Sequence, residues 1–274
     1  MIFTAGLATD KGTVKEINQD AMMLKVVMSK EFGRIAFGLV CDGCGGLSFG
    51  EVASAAYVRR MEEWFYNELP KLLSYKDATR RLDDARDFVS DPIELIKGNW
   101  TFISGEMNEK LYEFGLGKNA SVGTTVCMLI IIGDDYLAMN IGDSRIYRAS
   151  LNNISCITHD HSYVQKQIDE GLMSQEQADS SPMRSVLLQC VGAVINVEPF
   201  FVRGKVIEDD TFLLCCDGFW RKTEVEDFTK LMNAKECSSE DIINDALKKH
   251  IDRLKNIGEK DNISAVLIRA QGAI

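Results

Sequence analysis

Apolar residues along this chain fall into short runs of strand length and longer stripes at helical spacing. Strand-like runs lie at Ile2 to Thr9, Ala21 to Met28, Arg34 to Cys41, Thr124 to Ile132, Tyr136 to Ile141 and Arg145 to Arg148, and again at Glu198 to Val206, Thr211 to Cys216 and Asn262 to Arg269. Arg34 to Cys41 is almost unbroken in apolarity, which predicts a strand buried on both faces. The turn residues Asp10, Lys11 and Gly12 predict that the first two strands are joined directly. Glu51 to Leu69 predicts an amphipathic helix with Val52, Ala55, Met61, Trp64 and Phe65 on its apolar side, stopped by Pro70. A second helix opens near Pro92 and carries Ile96, Trp100, Ile103, Met107 and Phe114 on one stripe. Between them, Ser74 to Ser90 mixes charge signs at helical spacing and reads as a solvated helix face. Further helices are predicted at about Ser162 to Glu170, Glu224 to Met232 and Ser239 to Lys255. Strands at both ends with helices between them suit a layered fold in which the helices cover a sheet.

The strand ends carry the chemistry. Leu39-Val40-Cys41 runs into Asp42-Gly43-Cys44-Gly45-Gly46, where the glycines allow the backbone close to a ligand. One Asp-Gly after a strand is an ordinary turn, but Thr211 to Gly218 repeats the design with Asp217. Asp143 follows a third apolar segment, Asp261 precedes a fourth, and Asp20 precedes a fifth. Carboxylates crowded together raise one another's pKa values, so such a set is stable in ionised form when cations occupy it.

In this order the segments resemble the bacterial branch of the metal-dependent Ser/Thr protein phosphatases, the PPM family of 2C type. Gly12 to Asp20 is similar to the family's N-terminal motif, and Val40 to Ser54 to its first metal motif and the helix after it. Gly123-Thr124-Thr125, Ile141 to Arg145, Thr158 to Ser162 with Asp169-Glu170-Gly171, Leu214 to Gly218 and Asp261 to Ser264 then follow, so the likeness runs from about Gly6 to Ile268. The resemblance implies an α+β fold of four layers, α/β/β/α, with a central antiparallel β-sandwich flanked by helix pairs. It implies a single phosphatase domain over 1–274, a helical segment at about 70–115 longer than the family minimum, and a mobile flap at about 163–193.

The activity it implies is hydrolysis of phosphoserine and phosphothreonine in proteins by a water bridged between two divalent cations, with no phosphoenzyme. Carried over residue by residue, Asp42 bridges both ions, the Gly43 carbonyl binds one, and Asp217 and Asp261 complete the second site. Asp20 orients water on the ions, and Asp143 contributes to a weaker third ion. Asp42, Asp20 and Asp217 are thus the expected catalytic set. Oxygen-only ligation suits Mn2+ or Mg2+ better than zinc. The expected partners are phosphorylated proteins, products of a bacterial-type Ser/Thr kinase, met by a cytoplasmic monomer.

Composition narrows this further. A net charge of -10 argues against a nucleic-acid surface. The longest apolar run, near Val126 to Ile132, is too short to cross a bilayer, and no signal-peptide pattern opens the chain. Eight cysteines in a chain of 274 residues, several inside apolar runs, read as reduced core residues rather than a disulfide scaffold. Cys41 and Cys44 have Cys-x-x-Cys spacing without a second ligand pair for zinc; their oxidation to each other would strain the loop holding Asp42. The chain has no Cys-x5-Arg phosphatase loop and no Gly-x4-Gly-Lys-Ser/Thr nucleotide loop, which leaves direct attack by water.

Two positions depart from the family pattern. Lys15 stands where an arginine usually meets the substrate phosphate, keeping the charge but not the planar two-pronged grip. Cys44 stands where relatives carry methionine or a histidine that protonates the leaving group. A thiol beside acids is a poor acid, so that proton falls to water. His161 is a candidate donor, although Asp160-His161-Ser162 also reads as a helix N-cap. A hydrolase of small phosphoesters, or a weakly active pseudophosphatase that binds phosphoproteins, are the alternatives.

Overall fold

Strand β3 (Gly33–Cys41) is buried along seven of its residues because its sheet is covered on both sides. Ile35, Phe37, Leu39 and Cys41 pack into a helical layer, while Ala36 and Val40 pack toward a second sheet, the period of two that a pleated strand imposes. The computed structural model describes residues 1–44, 48–79, 91–151 and 153–272.

The first sheet has the order β2 (Ala21–Ser29), β3, β4 (Val126–Ile132), β5 (Asp135–Ile141), β8 (Phe200–Lys205). The second has the order β1 (Ile2–Asp10), β10 (Ile263–Gln271), β9 (Thr211–Cys215), β6 (Arg145–Ser150), β7 (Asn153–Cys156). Every pairing is antiparallel. Helices α1 (Gly50–Asn67), α2 (Leu69–Thr79) and α3 (Pro92–Lys118) cover the first sheet. On the second lie α7 (Val225–Leu231) and α8 (Glu240–Asn256). The result is the α/β/β/α sandwich, an α+β fold.

Helix α3 starts where the sequence says it should, with Asp91 accepting from the Ile93 N–H and Pro92 in the first turn. Its Trp100 meets Trp64 of α1 edge-on at 5.7 Å between ring centroids, and both rings pack on Phe37 of β3 at 6.0 Å. Each such aromatic pair adds about 0.5–1.5 kcal/mol beyond area burial.

Three local expectations change. Asp10 to Gly12 does not join a β1/β2 hairpin. β1 pairs with β10 and β2 with β3, so residues 11–20 cross from one sheet to the other over the strand ends. Pro70 does not end helical structure; it lies in the first turn of α2, where the missing N–H leaves no bond unmade. Val52 and Ala55 face solvent, and the buried stripe of α1 is Ala53, Tyr57, Met61, Trp64 and Phe65. The sheet's position selects that stripe. The charged stretch from Ser74 begins within α2, and its part from 80 to 90 lies outside the described residues.

Candidate metal centre

The register of the sheets brings the acids together. Ala21 pairs with Cys41, so Asp20 and Asp42, one residue further, emerge side by side at one end of the sandwich. In the other sheet Ala265 pairs with Cys215, and the Cys216 N–H donates to the Ser264 carbonyl at 3.1 Å. That delivers Asp217, the first residue of the short helix α6 (Asp217–Trp220), beside Asp261 at the foot of β10. Asp143 occupies the turn between β5 and β6. Asp42, Asp143, Asp217 and Asp261 line one cavity of about 370 Å³ with Lys15, Cys44 and Arg221.

The Asp-Gly repeat has a packing cause. A Cβ on Gly218 would lie 2.1 Å from the Asn262 carbonyl oxygen, and one on Gly43 would lie 2.5 Å from the Gly50 backbone. Each glycine lets its aspartate's strand end press against another segment of the site. Gly45 and Gly46 lie outside the described residues. Thr124 and Thr125 clamp Asp42 from β4's side: the Thr125 N–H donates to the Asp42 carbonyl at 2.8 Å, and the Asp42 N–H donates to Thr125 Oγ1 at 3.1 Å. Asn262 receives the Gln19 N–H at 2.9 Å and donates to the Lys11 and Ile17 carbonyls, tying the crossover segment to β10.

The charges do not balance within the protein. Asp20 accepts from Ser264 Oγ at 2.6 Å through Oδ2, whereas its Oδ1 is buried without a hydrogen-bond partner, as is Oδ1 of Asp217. Burial first, then the charges of Asp217 and Asp261, push the Asp20 carboxyl up to about 7. Asp143 rises to about 8 by burial and the charge of Asp217. Burial and the charges of Asp20, Asp217 and Asp143 carry Asp42 well above the ordinary carboxylate range. Buried oxygens with no donor and carboxylates that cannot all ionise are what a divalent cation corrects. These residues therefore fit the two cations the resemblance implies. Asp20, Asp42 and Cys216 also bring ligand atoms within 4.8 Å of one another. Burial pushes the Cys216 thiol well up and its sulfur receives the Ser264 N–H at 3.1 Å, so it braces Asp20 rather than presenting a thiolate.

Lys15 places Nζ 2.9 Å from Asp261 Oδ1. Burial works against its charge, but that bond and the charges of Asp42 and Asp217 raise its pKa overall. His161 stands behind the turn: its Nδ1 accepts the Gly142 N–H at 3.2 Å and its own N–H donates to the Gly142 carbonyl at 2.8 Å. Burial lowers its pKa, and it serves the turn before Asp143. The helix cap is Ser162, whose hydroxyl accepts from the Gln165 N–H at the start of α4 (Tyr163–Asp169), which α5 (Gln175–Ser180) follows. Asp160 pairs instead with Arg145, at 2.8 Å.

Cys41 and Cys44 are both free, as expected of reduced cysteines, and despite their Cys-x-x-Cys spacing they face different neighbours. Cys41 points into the helix-side core, and the Cys44 sulfur lies 2.8 Å from that of Cys190, where the flap segment returns. All eight cysteines are free. Sequence reasoning also passed over Arg221, whose Nη2 reaches Asp217 Oδ2 at 2.8 Å and Asp143 Oδ2 at 3.3 Å. Its position four residues after Asp217, one helical turn, was the available signal.

Comparison with known proteins agrees with this fold. The model of the family Protein phosphatase 2C matches residues 11–267. Serine/threonine phosphatase stp of Listeria welshimeri is 28% identical over 269 residues, covering 96% of this chain and 94% of that one. The serine/threonine phosphatase of S. agalactiae shares the fold with a TM-score of 0.77 at 24% identity, covering 98% of this chain and 100% of that one. The catalytic domain of the phosphatase PstP in complex with 2 manganese ions shares it with a TM-score of 0.68 at 19% identity, covering 98% and 99%. Among the described residues, no helix is long and apolar enough to cross a membrane.

Proposed function

The chain belongs to the protein phosphatase 2C family, and on that premise we propose that it hydrolyses phosphoserine and phosphothreonine in proteins with divalent cations held at Asp42, the Gly43 carbonyl, Asp217 and Asp261. The observation that carries this reading is the pair of buried, unpartnered oxygens, Asp20 Oδ1 and Asp217 Oδ1, within a set of acids too close to ionise together. The donors are hard oxygens, which suits Mn2+ or Mg2+. Cations in such a cluster offset charge on the phosphoryl oxygens and acidify water.

The chain's own residues divide the remaining work. Lys15, anchored on Asp261, gives the cavity a positive point charge for a phosphate oxygen. Asp20 has Oδ2 committed to Ser264, so Oδ1 is its atom for receiving a hydrogen bond from a reacting water. Cys44, Cys215 and Cys216 are not set up as nucleophiles, since their pKa values are pushed well up, which favours attack by water without a phosphoenzyme. The proposed setting is the cytoplasm, where the enzyme acts on the products of a Ser/Thr kinase.

Hydrolysis of a phosphopeptide with Mn2+, with EDTA, and by Asp217→Asn tests the reading. EDTA is expected to abolish turnover. Asp217→Asn is expected to reduce it by more than the roughly 10–100-fold typical of a lost outer-shell partner. Activity surviving both would overturn the metal-dependent mechanism.

A further inference from the structure

Arg221 is a cation built into the acidic cluster, and its setting is rigid. Its backbone N–H donates to the Asp217 carbonyl at 3.0 Å, closing the turn of α6. The neighbouring Trp220 donates Nε1–H to the Asp143 carbonyl at 3.0 Å, so the same turn is fastened to both acids that the guanidinium bridges. The Trp220 ring lies 3.4 Å from the Arg145 guanidinium carbon, and Arg145 is held by Asp160. Arg221 is thus no free surface arm; its side chain is 22% exposed.

The two oxygens of Asp217 serve different neighbours. Oδ1 is unpartnered and buried, whereas Oδ2 is taken by Arg221, which also takes Oδ2 of Asp143. A third divalent ion shared by Asp143 and Asp217 would have to take their Oδ2 atoms from the guanidinium or bind their other oxygens against its charge at short range, unfavourable either way. The residues at this point do not fit a third ion.

Resting on the metal-dependent reading above, we propose that Arg221 replaces a third metal ion between Asp143 and Asp217, so that this phosphatase takes two divalent ions per chain and uses Arg221 as a positioning residue for both acids. The chain carries its third cation as a covalent part of α6.

Metal stoichiometry tests this without relying on turnover. The intact protein, Arg221→Ala and Arg221→Lys are dialysed to equilibrium against Mn2+, and bound manganese is counted by inductively coupled plasma mass spectrometry, with circular dichroism reporting folding. The expected counts are two ions for the native chain and for Arg221→Lys, and a third, weaker ion for Arg221→Ala that Asp143→Asn in the same background removes. Three ions in the native chain would overturn the proposal and leave the phosphatase reading intact. Two ions in a folded Arg221→Ala would also overturn it. No bound ion in the native chain would defeat the metal-dependent reading itself. If Arg221→Ala fails to fold, the native count and the Arg221→Lys count still decide, because a third ion in either contradicts the assignment.

Discussion

At the scale of single residues, each departure from the family pattern now has a physical setting. Lys15 is held 2.9 Å from Asp261, and in the proposed role it offers a phosphate one point charge. Lys15→Arg adds a second, planar prong and is expected to lower KM for a phosphopeptide by about 10-fold, the effect of roughly 1.4 kcal/mol of added binding, with kcat little changed. An unchanged KM would refute the view that the lysine weakens substrate binding. The Cys44 and Cys190 sulfurs lie 2.8 Å apart, so hydrogen peroxide is expected to link them. Each thiol gives up a proton and an electron and the peroxide leaves as two waters. Mass spectrometry of unreduced tryptic peptides should find Cys44 joined to Cys190 and Cys41 still a thiol, with activity lowered and restored by dithiothreitol. A Cys41–Cys44 link would reverse this assignment. Asp42, Asp143, Asp217 and Asp261 were legible in sequence because each is a charged residue at the boundary of an apolar run. Arg221 and Cys190 were not legible, since their partners lie in other elements.

At the scale of elements, the site depends on how closely strand ends approach. Gly218 allows the start of α6 to press on the foot of β10, where a methyl group would meet the Asn262 carbonyl at 2.1 Å. Gly218→Ala is therefore expected to part Asp217 from Asp261, weakening Mn2+ binding by about 10-fold or more and lowering stability by about 1–3 kcal/mol. Calorimetric titration and urea unfolding measure the two effects, and unaltered Mn2+ affinity would show that the contact does not set the distance between the acids. Element type was legible wherever a periodic pattern was long, as in α3 and β3. The face of α1 was not, because rotating an apolar stripe by one position is decided by the sheet beneath it; Val52 is exposed and Ala53 buried for that reason.

For the molecule as a whole, a buried cluster of acids whose pKa values are pushed up links stability to pH and, on the proposed reading, to metal binding. Burial first, then neighbouring carboxylates, push Asp20 up to about 7 and Asp143 up to about 8, above the 3.8 of an aspartate in an unfolded chain. Without cations, their contribution to stability is complete below the unfolded value and is lost as pH rises through the folded values. Cations replace those protons, so Mn2+ is expected to raise Tm more at about pH 8.5 than at about pH 6. Scanning calorimetry showing an equal or smaller shift at the higher pH would disprove the coupling. The amino-acid sequence determined which acids are candidates for the site and the periods that make strands and helices, because both are written in local order. Its ordered acids, read as a set, also pointed to the family. Tertiary structure alone decided that β1 pairs with β10, that Cys44 meets Cys190 across 146 positions, and that Arg221 reaches Asp143 across 78. Those contacts follow from which strands share hydrogen bonds and how the two sheets stack, a long-range choice that no local pattern along the chain contains.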